Sequence, residues 1–304
     1  MEGPRRPEGR SGADPRTEGD GTGRMYRQRW LITLLGIAAF GCATGRNFTD
    51  LAGPRFTGGA PDTTLPEAVA GVTPGAATLR IVTFNIQFAR NIDAAIRLLA
   101  TDPDLAGADL IALQEMDEEG AARIAAALSL RHVYYPATIH PATDRNFGNA
   151  ILSRWPVVAD HKTLLPHPGD LRRTQRTAVC GTIAAGRQRI RVYSVHLGTM
   201  FEIDPDRRAD QLGAVLDDAA ASLDPVIIAG DLNSHAVGEQ AVARGYEWPT
   251  RDVGRTKWLF SWDHVFLRGF PPGAVRAAGR TRDAGGASDH RAVWTVIELG
   301  AGSR

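Results

Sequence analysis

The chain has 304 residues and a hydrophobic content of 43%, enough for one sizeable globular domain with a tail. Its formal net charge of +1 creates no overall positive field of the kind that marks many nucleic-acid binders. Only two cysteines are present, Cys42 and Cys180, which are too few for a small domain held together by disulfides.

The N-terminal part predicts a leader and a tether. Residues 1–24 are mostly Gly, Arg, Glu, Pro and Asp, so we expect disorder or a misassigned start, with Met25 as the true start. Residues 25–42 combine positive charges, a short apolar run and small residues, as signal peptides do. Residues 43–77 are rich in Gly, Pro, Thr and Ala and predict a flexible linker.

The end of the predicted signal peptide bears on location. Ala39-Phe40-Gly41-Cys42 is similar to a bacterial lipobox, in which the cysteine is acylated. The apolar run is shorter than the roughly 20 residues that a membrane-spanning helix needs. We therefore expect export to the cell envelope or periplasm, with possible membrane attachment through Cys42. A plainly secreted protein and a retained anchor helix are the alternatives.

Residues 78–300 contain the periodicities of a folded domain. Apolar residues at helical spacing predict helices at Asn91–Ala100, Gly120–Leu130 and Pro205–Leu223. Alternating or continuous apolar runs predict strands at Leu79–Asn85, Ala108–Glu115, His132–Tyr135, Asn149–Ser153, Thr177–Ile183, Ile190–Leu197, Val226–Gly230, Trp262–Leu267 and Ala292–Glu298. Several adjacent strands have no helix between them, which disfavours a purely doubly wound parallel sheet. We expect an α/β (α+β) domain with two packed mixed β-sheets flanked by helices, a four-layer sandwich.

Residues able to bind metal or transfer protons stand at the ends of predicted strands. They are Asn85, Glu115, His196, Asp231 with Asn233, and Asp289 with His290. Oxygen ligands and imidazoles together suit phosphoryl chemistry on a hard cation. Neither cysteine lies at the spacing of a zinc site, and Cys180 falls in an alternating apolar run that predicts a buried, inert thiol. Taken singly, each strand-terminal residue could also be a turn former or a helix cap.

These residues belong to short local motifs, and the order of the motifs along the chain is more informative than any single residue. The motifs are Phe84-Asn85-Ile86, Leu113-Gln114-Glu115, Gly148-Asn149-Ala150-Ile151-Leu152-Ser153-Arg154, Val195-His196-Leu197, Gly230-Asp231-Leu232-Asn233, Trp262-Asp263-His264 and Ser288-Asp289-His290. They resemble the successive motifs of the endonuclease/exonuclease/phosphatase superfamily, which includes deoxyribonucleases, abasic-site endonucleases, sphingomyelinases and inositol-polyphosphate phosphatases. The resemblance covers residues 79–298.

The resemblance implies a metal site and a phosphate site. Glu115 resembles the main Mg²⁺ ligand of the superfamily, and Mn²⁺ is a possible substitute. Asn85 is implied as a second ligand or phosphate contact, and Asp289 as an additional carboxylate on the metal side. Arg176 and Asn149 are implied as phosphate-binding residues, and a guanidinium is well suited to that role.

The resemblance also implies the catalytic residues. Asp231 and Asn233 would orient the attacking water and the scissile phosphate. His290 would hydrogen-bond the phosphate and be held by the carboxylate of Asp263. His196 is implied as a second catalytic histidine and a candidate general acid.

The substrate is less narrowly predicted than the site. His196 favours the deoxyribonuclease- and sphingomyelinase-like branch, because abasic-site endonucleases carry Tyr at this strand end. We expect an exported Mg²⁺-dependent phosphodiesterase acting on a lipid headgroup or a small molecule. An extracellular or periplasmic endonuclease acting on DNA or RNA is the first alternative, and a non-catalytic binding protein on the same scaffold is the second. Phosphomonoesterase activity is a further alternative. Nothing in the sequence implies a protein partner, so we expect a monomer.

Overall fold

The computed structural model describes residues 46–59 and 78–299. The predicted disordered segment 1–24 and the predicted signal peptide with Cys42 lie outside these residues. Within the described ranges, no helix combines the length and the hydrophobicity that a membrane crossing requires.

The domain contains more strands than helices, as predicted. The strands are β1 (Arg46–Asn47), β2 (Phe56–Gly58), β3 (Thr78–Asn85), β4 (Leu110–Met116), β5 (Arg131–His140), β6 (Arg145–Ser153), β7 (Val157–Leu164), β8 (Thr177–Ala185), β9 (Gln188–His196), β10 (Val226–Asp231), β11 (Asp263–Arg268), β12 (Val275–Arg280) and β13 (Val293–Glu298). The helices are α1 (Ile92–Thr101), α2 (Glu118–Ala127), α3 (Pro205–Ala220) and α4 (Gly238–Ala243).

The strands form two mixed sheets. The eight-stranded sheet has the order β1-β5-β6-β4-β3-β13-β12, with β2 also paired to β5. The five-stranded sheet has the order β11-β10-β9-β8-β7. The pairs β3–β4 and β9–β10 are parallel, whereas the other pairs are antiparallel. This confirms the predicted pair of mixed sheets.

Three apolar cores separate four layers. One core packs α1 and α2 against the eight-stranded sheet, as Ile92 and Ile124 do on Leu113. A second lies between the two sheets and includes Ile81, Ile151, Val192 and Ile227. The third packs α3 against the outer face of the five-stranded sheet, where Leu212 and Leu216 meet Tyr193 and Ile228. Both faces of each sheet are thus buried, which explains the nearly continuous apolar runs of β4 and β10.

Side chains cap three of the helices at their N-termini. Asn91 accepts a hydrogen bond from the amide of Ala94, and Asp117 accepts one from Gly120. Asp204 accepts one from Arg207 at the start of α3, where Pro205 occupies the first turn. Each cap satisfies an amide that has no partner within the helix.

The prediction of a flexible linker over residues 43–77 is wrong for residues 46–59. In that segment β1 pairs with Thr138 and Ile139 of β5, and β2 pairs with its residues His132–Tyr134. Arg55 also binds both carboxylate oxygens of Asp160 in β7, at 2.6 Å each. Short strands of low hydrophobicity gain their stability from a partner edge, which local composition does not show.

Other differences concern short elements. The sequence analysis missed β7, β12 and α4. The strands β7 and β12 lie at sheet edges and carry mixed, partly exposed residues, so neither has a clear two-residue hydrophobic period. The third predicted helix ends at Ala220 rather than Leu223, and the others shift by one to three residues at their ends.

Candidate active site

The predicted site residues converge at one edge of the two sheets. In the five-stranded sheet, Asp231 at the end of β10 pairs with His196 at the end of β9 and with Asp263 at the start of β11. In the eight-stranded sheet, Asn85 at the end of β3 pairs with Gln114 in β4. The carboxyl ends of both parallel pairs therefore open onto the same edge, where the two rigid sheets hold the side chains.

A β-bulge shapes the backbone at Glu115. The register between β4 and β6 shifts between Leu113 and Met116, and Glu115 has a φ of 57°. This left-handed conformation is unfavourable for a residue with a β-carbon, and such strain is characteristic of functional sites. A bulge also re-aims a side chain that regular pleating would direct elsewhere.

Asn85 joins the two halves of the site. Its Nδ2 donates to Glu115 Oε1 and to Asp231 Oδ2, at 3.0 Å each. The other oxygen of Glu115, Oε2, accepts a hydrogen bond from the amide of Phe88 at 3.1 Å. One buried amide thus fixes a carboxylate from each sheet, and removing it would take the hydrogen-bond donor away from Glu115 Oε1 and from Asp231 Oδ2.

Asp231 is held by the turn that follows it. Its Oδ1 accepts the amide of Asn233 at 2.8 Å, and Asn233 Nδ2 donates to the carbonyl oxygen of Leu197 at 3.0 Å. Asn233 has a φ of 49°, which asparagine tolerates better than most residues. Gly230 precedes this turn because a β-carbon there would lie 2.0 Å from the carbonyl oxygen of Val195.

His290 and Asp263 form a buried pair. His290 Nδ1 lies 2.9 Å from Asp263 Oδ2, and both side chains are at most 1% exposed. Burial alone would lower the pKa of His290, but the charges of Asp263 and Asp231 outweigh it and raise the pKa to about 9. At neutral pH the ring therefore carries a proton on each nitrogen. The predicted pairing of these two residues is present in the structure.

His196 is in a different electrostatic environment. Arg176 Nη1 lies 3.0 and 3.1 Å from its two ring nitrogens, and the same guanidinium binds Glu202 through Nη2. Burial, followed by the charges of Arg176, His290 and Lys257, lowers the pKa of His196 well below its usual value. The ring is neutral, so this environment favours a hydrogen-bonding role over the predicted general acid.

Several polar atoms of the site face one another at distances longer than a hydrogen bond. Asp231 Oδ2 lies 3.6 Å from His196 Nε2 and 3.6 Å from His290 Nε2. His290 Nε2 and Asp263 Oδ1 are buried and have no hydrogen-bond partner among the described residues. Burial, with an added contribution from Asp263, raises the pKa of Asp231 to about 6 despite the opposing charge of His290. Buried polar atoms are normally paired, so these atoms indicate the place of a polar ligand.

Atoms of Asp231, Asp263 and His290 also lie within 4.8 Å of one another, close enough for a shared metal ion. A protonated imidazolium cannot ligate a cation, and His290 already uses Nδ1 to bind Asp263. This trio is therefore better described as a proton-holding group. The hard oxygen donors of Glu115 and Asn85 fit Mg²⁺ better.

Asp289 and Asn149, a predicted metal ligand and a predicted phosphate-binding residue, each contact another residue of the protein directly. Asp289 forms an ion pair with Lys257 at 3.0 Å, and its Oδ1 lies 3.9 Å from His290 Nε2. No hydrogen bond within the described ranges joins Asp289 to Asn85 or Glu115. Asn149 is buried, and its Nδ2 donates to the carbonyl oxygen of Thr177 at 2.6 Å. That bond holds the start of β8 next to Arg176.

The part of the chain that contains the site matches a known protein family. Residues 82–290 match the Endonuclease/Exonuclease/phosphatase family. The chain belongs to this family. The match contains Asn85, Glu115, Asp231 and His290, and it confirms the resemblance seen in the sequence motifs, although it specifies no branch.

Solved structures share the fold. A family protein from Leptotrichia buccalis C-1013-b has 18% identity and a TM-score of 0.58, covering 73% of this chain and 100% of its own. An endonuclease/exonuclease/phosphatase from Beutenbergia cavernae DSM 12333 has 22% identity and a TM-score of 0.57. The match covers 74% of this chain and 72% of the Beutenbergia chain. The human Nocturnin catalytic domain with bound sulfate has 18% identity and a TM-score of 0.56, covering 73% and 94%. No curated protein sequence matches this family member significantly.

Sequence reasoning missed two parts of this family site. Lys257 reaches it from a loop without a recognisable motif. Gln114 links the two sheets beneath the site, because its Nε2 donates to Ser194 Oγ at 3.1 Å and Thr83 Oγ1 donates to its Oε1 at 3.3 Å. The position of Gln114 directly before Glu115, at the end of a buried strand, was an available signal for a structural role.

Cys180 is buried, as predicted, and burial raises its pKa to about 12. It lies near His161 and Asp218 on the outer face of the five-stranded sheet. The Oδ2 atom of Asp218 already binds Tyr193 at 2.6 Å and His161 at 3.0 Å. These hydrogen bonds account for the cluster without a metal ion.

Proposed function

We propose that this family member is an exported, Mg²⁺-dependent phosphodiesterase that hydrolyses a lipid headgroup or a small-molecule diester. The observation that carries the activity is the opposition of Asp231 to the Nε2 atoms of His196 and His290, 3.6 Å from each. A phosphate oxygen or a water placed there would give a partner to His290 Nε2, which is buried without one among the described residues. Arg176 adds a fixed positive charge beside His196.

The residues at the site fit a magnesium ion. Glu115 and Asn85 would hold it, with Asp289 as the additional carboxylate predicted from the motifs. Carboxylate and amide oxygens are the donors that this hard cation prefers, and Asp289 Oδ1 is a buried acceptor without a hydrogen bond among the described residues. Bound at this place, the metal supplies Lewis-acid polarisation of a phosphoryl oxygen and neutralises developing negative charge.

Side chains of the protein would align the attacking water and bind the phosphate oxygens. Asp231, oriented by Asn85 and by the amide of Asn233, would accept a hydrogen bond from the attacking water and align it. His290, held by Asp263, would donate from Nε2 to a phosphate oxygen. Arg176 and the neutral ring of His196 would bind a second oxygen. Strand ends and the hydrogen bonds around them position these groups before substrate arrives.

The substrate class follows from charge and from the motifs. The net charge of +1 provides little long-range attraction for a polyanion such as DNA. His196 stands at the strand end where the resemblance associates histidine with the deoxyribonuclease- and sphingomyelinase-like branch. Export would bring the enzyme to diesters outside the cytoplasm. These points favour a lipid or small diester over a nucleic acid.

A substrate panel tests this proposal. Sphingomyelin, phosphatidylinositol, a chromogenic soluble diester, plasmid DNA and RNA are compared with Mg²⁺, with Mn²⁺ and with chelator. We expect hydrolysis of a lipid or soluble diester that stops in chelator and returns with Mg²⁺. Cleavage of nucleic acid alone would establish the nuclease alternative. Absence of turnover on every substrate, with metal bound, would favour the non-catalytic scaffold.

The location requires a separate measurement. We expect a mature protein that starts at an acylated Cys42, observed by mass spectrometry of the chain purified from a bacterial host. An exported chain with unmodified Cys42 would exclude the lipid anchor but keep export. A cytoplasmic chain that begins at Met1 would contradict both.

A further inference from the structure

Two apolar loop tips lie at the same sheet edge as the candidate active site. The first tip consists of Leu171, Met200 and Phe201, with exposures of 79%, 50% and 76%. The second consists of Trp258, Leu259 and Phe260, with exposures of 68%, 72% and 38%. Six of the exposed large apolar side chains in the described residues belong to these tips, and the four others, Leu51, Val158, Leu223 and Val242, are scattered singly.

The strand register places both tips at the site. Thr177 starts β8, and the loop that bears Leu171 comes directly before it. β9 ends at His196, and the loop that bears Met200 and Phe201 follows. β8 and β9 are antiparallel with Ala178 opposite Val195, so both loops leave the same edge. The loop with the second tip leaves that edge as well, because β11 starts at Asp263 opposite Asp231.

Hydrogen bonds join the first tip to the active site. The amide of Asp170 donates to the carbonyl oxygen of Glu202 at 2.9 Å, which ties the two loops of the tip together. The carboxylate of Glu202 accepts from the amide of Thr199 at 2.9 Å and also binds Arg176, the guanidinium beside His196. These hydrogen bonds hold the first tip beside the active site, although the side chains of the tip take no part in them.

The second tip is a tight hairpin with a strained residue. The amides and carbonyls of Lys257 and Phe260 bond to each other at 2.8 and 3.1 Å, which leaves Trp258 and Leu259 at the turn. Trp258 has a φ of 47°, an unusual conformation for a bulky residue. Phe260 stacks on Trp262 at a centroid distance of 4.7 Å, and Lys257 pairs with Asp289. Backbone strain that presents an exposed tryptophan is typical of a functional surface.

Free positive charge accompanies the apolar tips. Arg172, Arg173 and Arg255 are exposed and have no ion-pair partner in residues 46–59 and 78–299. Two acids of the first tip's loops are already paired, Asp170 with Arg207 and Glu202 with Arg176. Apolar side chains next to unpaired arginines match the boundary between the hydrocarbon and the phosphate layer of a bilayer.

We propose that the two apolar tips insert into a phospholipid bilayer and dock the active site onto headgroup phosphodiesters. The inference rests on the proposed phosphodiesterase function and assigns its substrate to a membrane surface. Half of the six tip side chains, Leu171, Met200 and Leu259, have no aromatic ring to stack on bases, and such stacking is how proteins usually hold single-stranded nucleic acids. The composition of the tips therefore favours hydrocarbon over a nucleic acid.

The experiment compares the full-length protein with a variant that carries Phe201→Ser, Trp258→Ser and Leu259→Ser. The matched control is Leu223→Ser, which removes a fully exposed leucine from the turn before β10, at the opposite edge of its sheet. Phe201→Ser alone is included as a milder variant. Two quantities are measured on phosphatidylcholine–phosphatidylglycerol vesicles: the partition coefficient, and quenching of tryptophan fluorescence by lipids brominated along the acyl chain. Turnover of a soluble diester with Mg²⁺ is measured in parallel.

We expect the triple variant to lose vesicle partitioning by about tenfold or more and to lose the Trp258 share of the quenching. Phe201→Ser should lose a smaller factor, and Leu223→Ser should behave as the unsubstituted protein does. Turnover of the soluble diester should be unchanged in all variants. The quenching readout reports insertion at Trp258 itself, so it remains informative if an acylated Cys42 also holds the chain on the vesicle.

Three results would overturn the docking proposal. They are unchanged partitioning and quenching in the triple variant, loss of soluble-diester turnover with the tips removed, and binding of single-stranded oligonucleotides in place of vesicles. Failure of the proposed function has a different signature. In that case the protein would insert into vesicles through the tips and would hydrolyse no diester.

Discussion

The buried pair of His290 and Asp263 gives the sharpest test of the active-site assignment. The substitution is Asp263→Asn, which keeps the size of the side chain and removes its charge. The carboxylate lies 2.9 Å from His290 Nδ1, and it helps to raise the pKa of His290 from 6.5 to about 9. A shift of that size corresponds to an interaction energy on the order of 3 kcal/mol, because each pKa unit is equivalent to 1.36 kcal/mol.

Losing that energy in the transition state should reduce kcat/KM by about 100-fold or more. His290→Ala should cause a similar loss. The double variant should be little worse than either single variant, because the carboxylate and the ring act as one unit. The four kcat/KM values are measured with Mg²⁺ on a soluble diester. Asp109→Asn is the control, since Asp109 is a buried carboxylate just before β4 that binds the amide of Arg80 at 2.8 Å.

The same pair predicts a pH dependence of stability. The folded-state pKa of His290 lies above its ordinary value, so the pair contributes stability that is fully present below about pH 6.5. That contribution is lost as the pH rises through about 9. Urea unfolding of the wild type should therefore show an alkaline decline that is weaker in Asp263→Asn. If Asp263→Asn and His290→Ala instead give additive losses of kcat/KM, the two residues act separately and the assignment is wrong.

Three further predictions address the metal ligand, the core thiol and the N-terminal segment. Glu115→Gln should keep the fold but lower kcat by orders of magnitude and weaken Mg²⁺ binding measured by calorimetry, because it removes the carboxylate proposed as the main metal ligand. Undiminished activity would contradict that role. Cys180→Ala should leave kcat unchanged. The native thiol should resist alkylation at pH 8, because burial raises its pKa to about 12. Rapid labelling of the folded protein would refute this prediction. Arg55→Ala should accelerate hydrogen exchange of the amides in β2, because it removes both 2.6 Å hydrogen bonds to Asp160. Unchanged exchange would show that strand pairing alone holds the segment.

The sequence by itself determined the family and the two-sheet architecture, and it predicted site residues that the structure brings together at the strand ends. Buried strands and amphipathic helices show hydrophobic patterns that can be recognised in the sequence. The motifs at the strand ends also occur along the chain in the same order as in the superfamily. Glu115 and Asp231 stand out in the sequence because each places a carboxylate at the end of a long apolar run. The pairing of His290 with Asp263 was available only through the resemblance, because the sequence separates them by 27 positions.

Tertiary structure decided what depends on contacts between distant segments. The linker prediction failed for residues 46–59 because β1 and β2 are stabilised by the edge of β5, not by their own composition. Burial and the charge of Arg176 lower the pKa of His196, an environment that the local sequence around His196 does not show. Glu115 acquires its orientation from a bulge whose register involves β6. Local patterns carry apolar periodicity, whereas charge environment and edge pairing arise only when segments far apart in the chain are brought together.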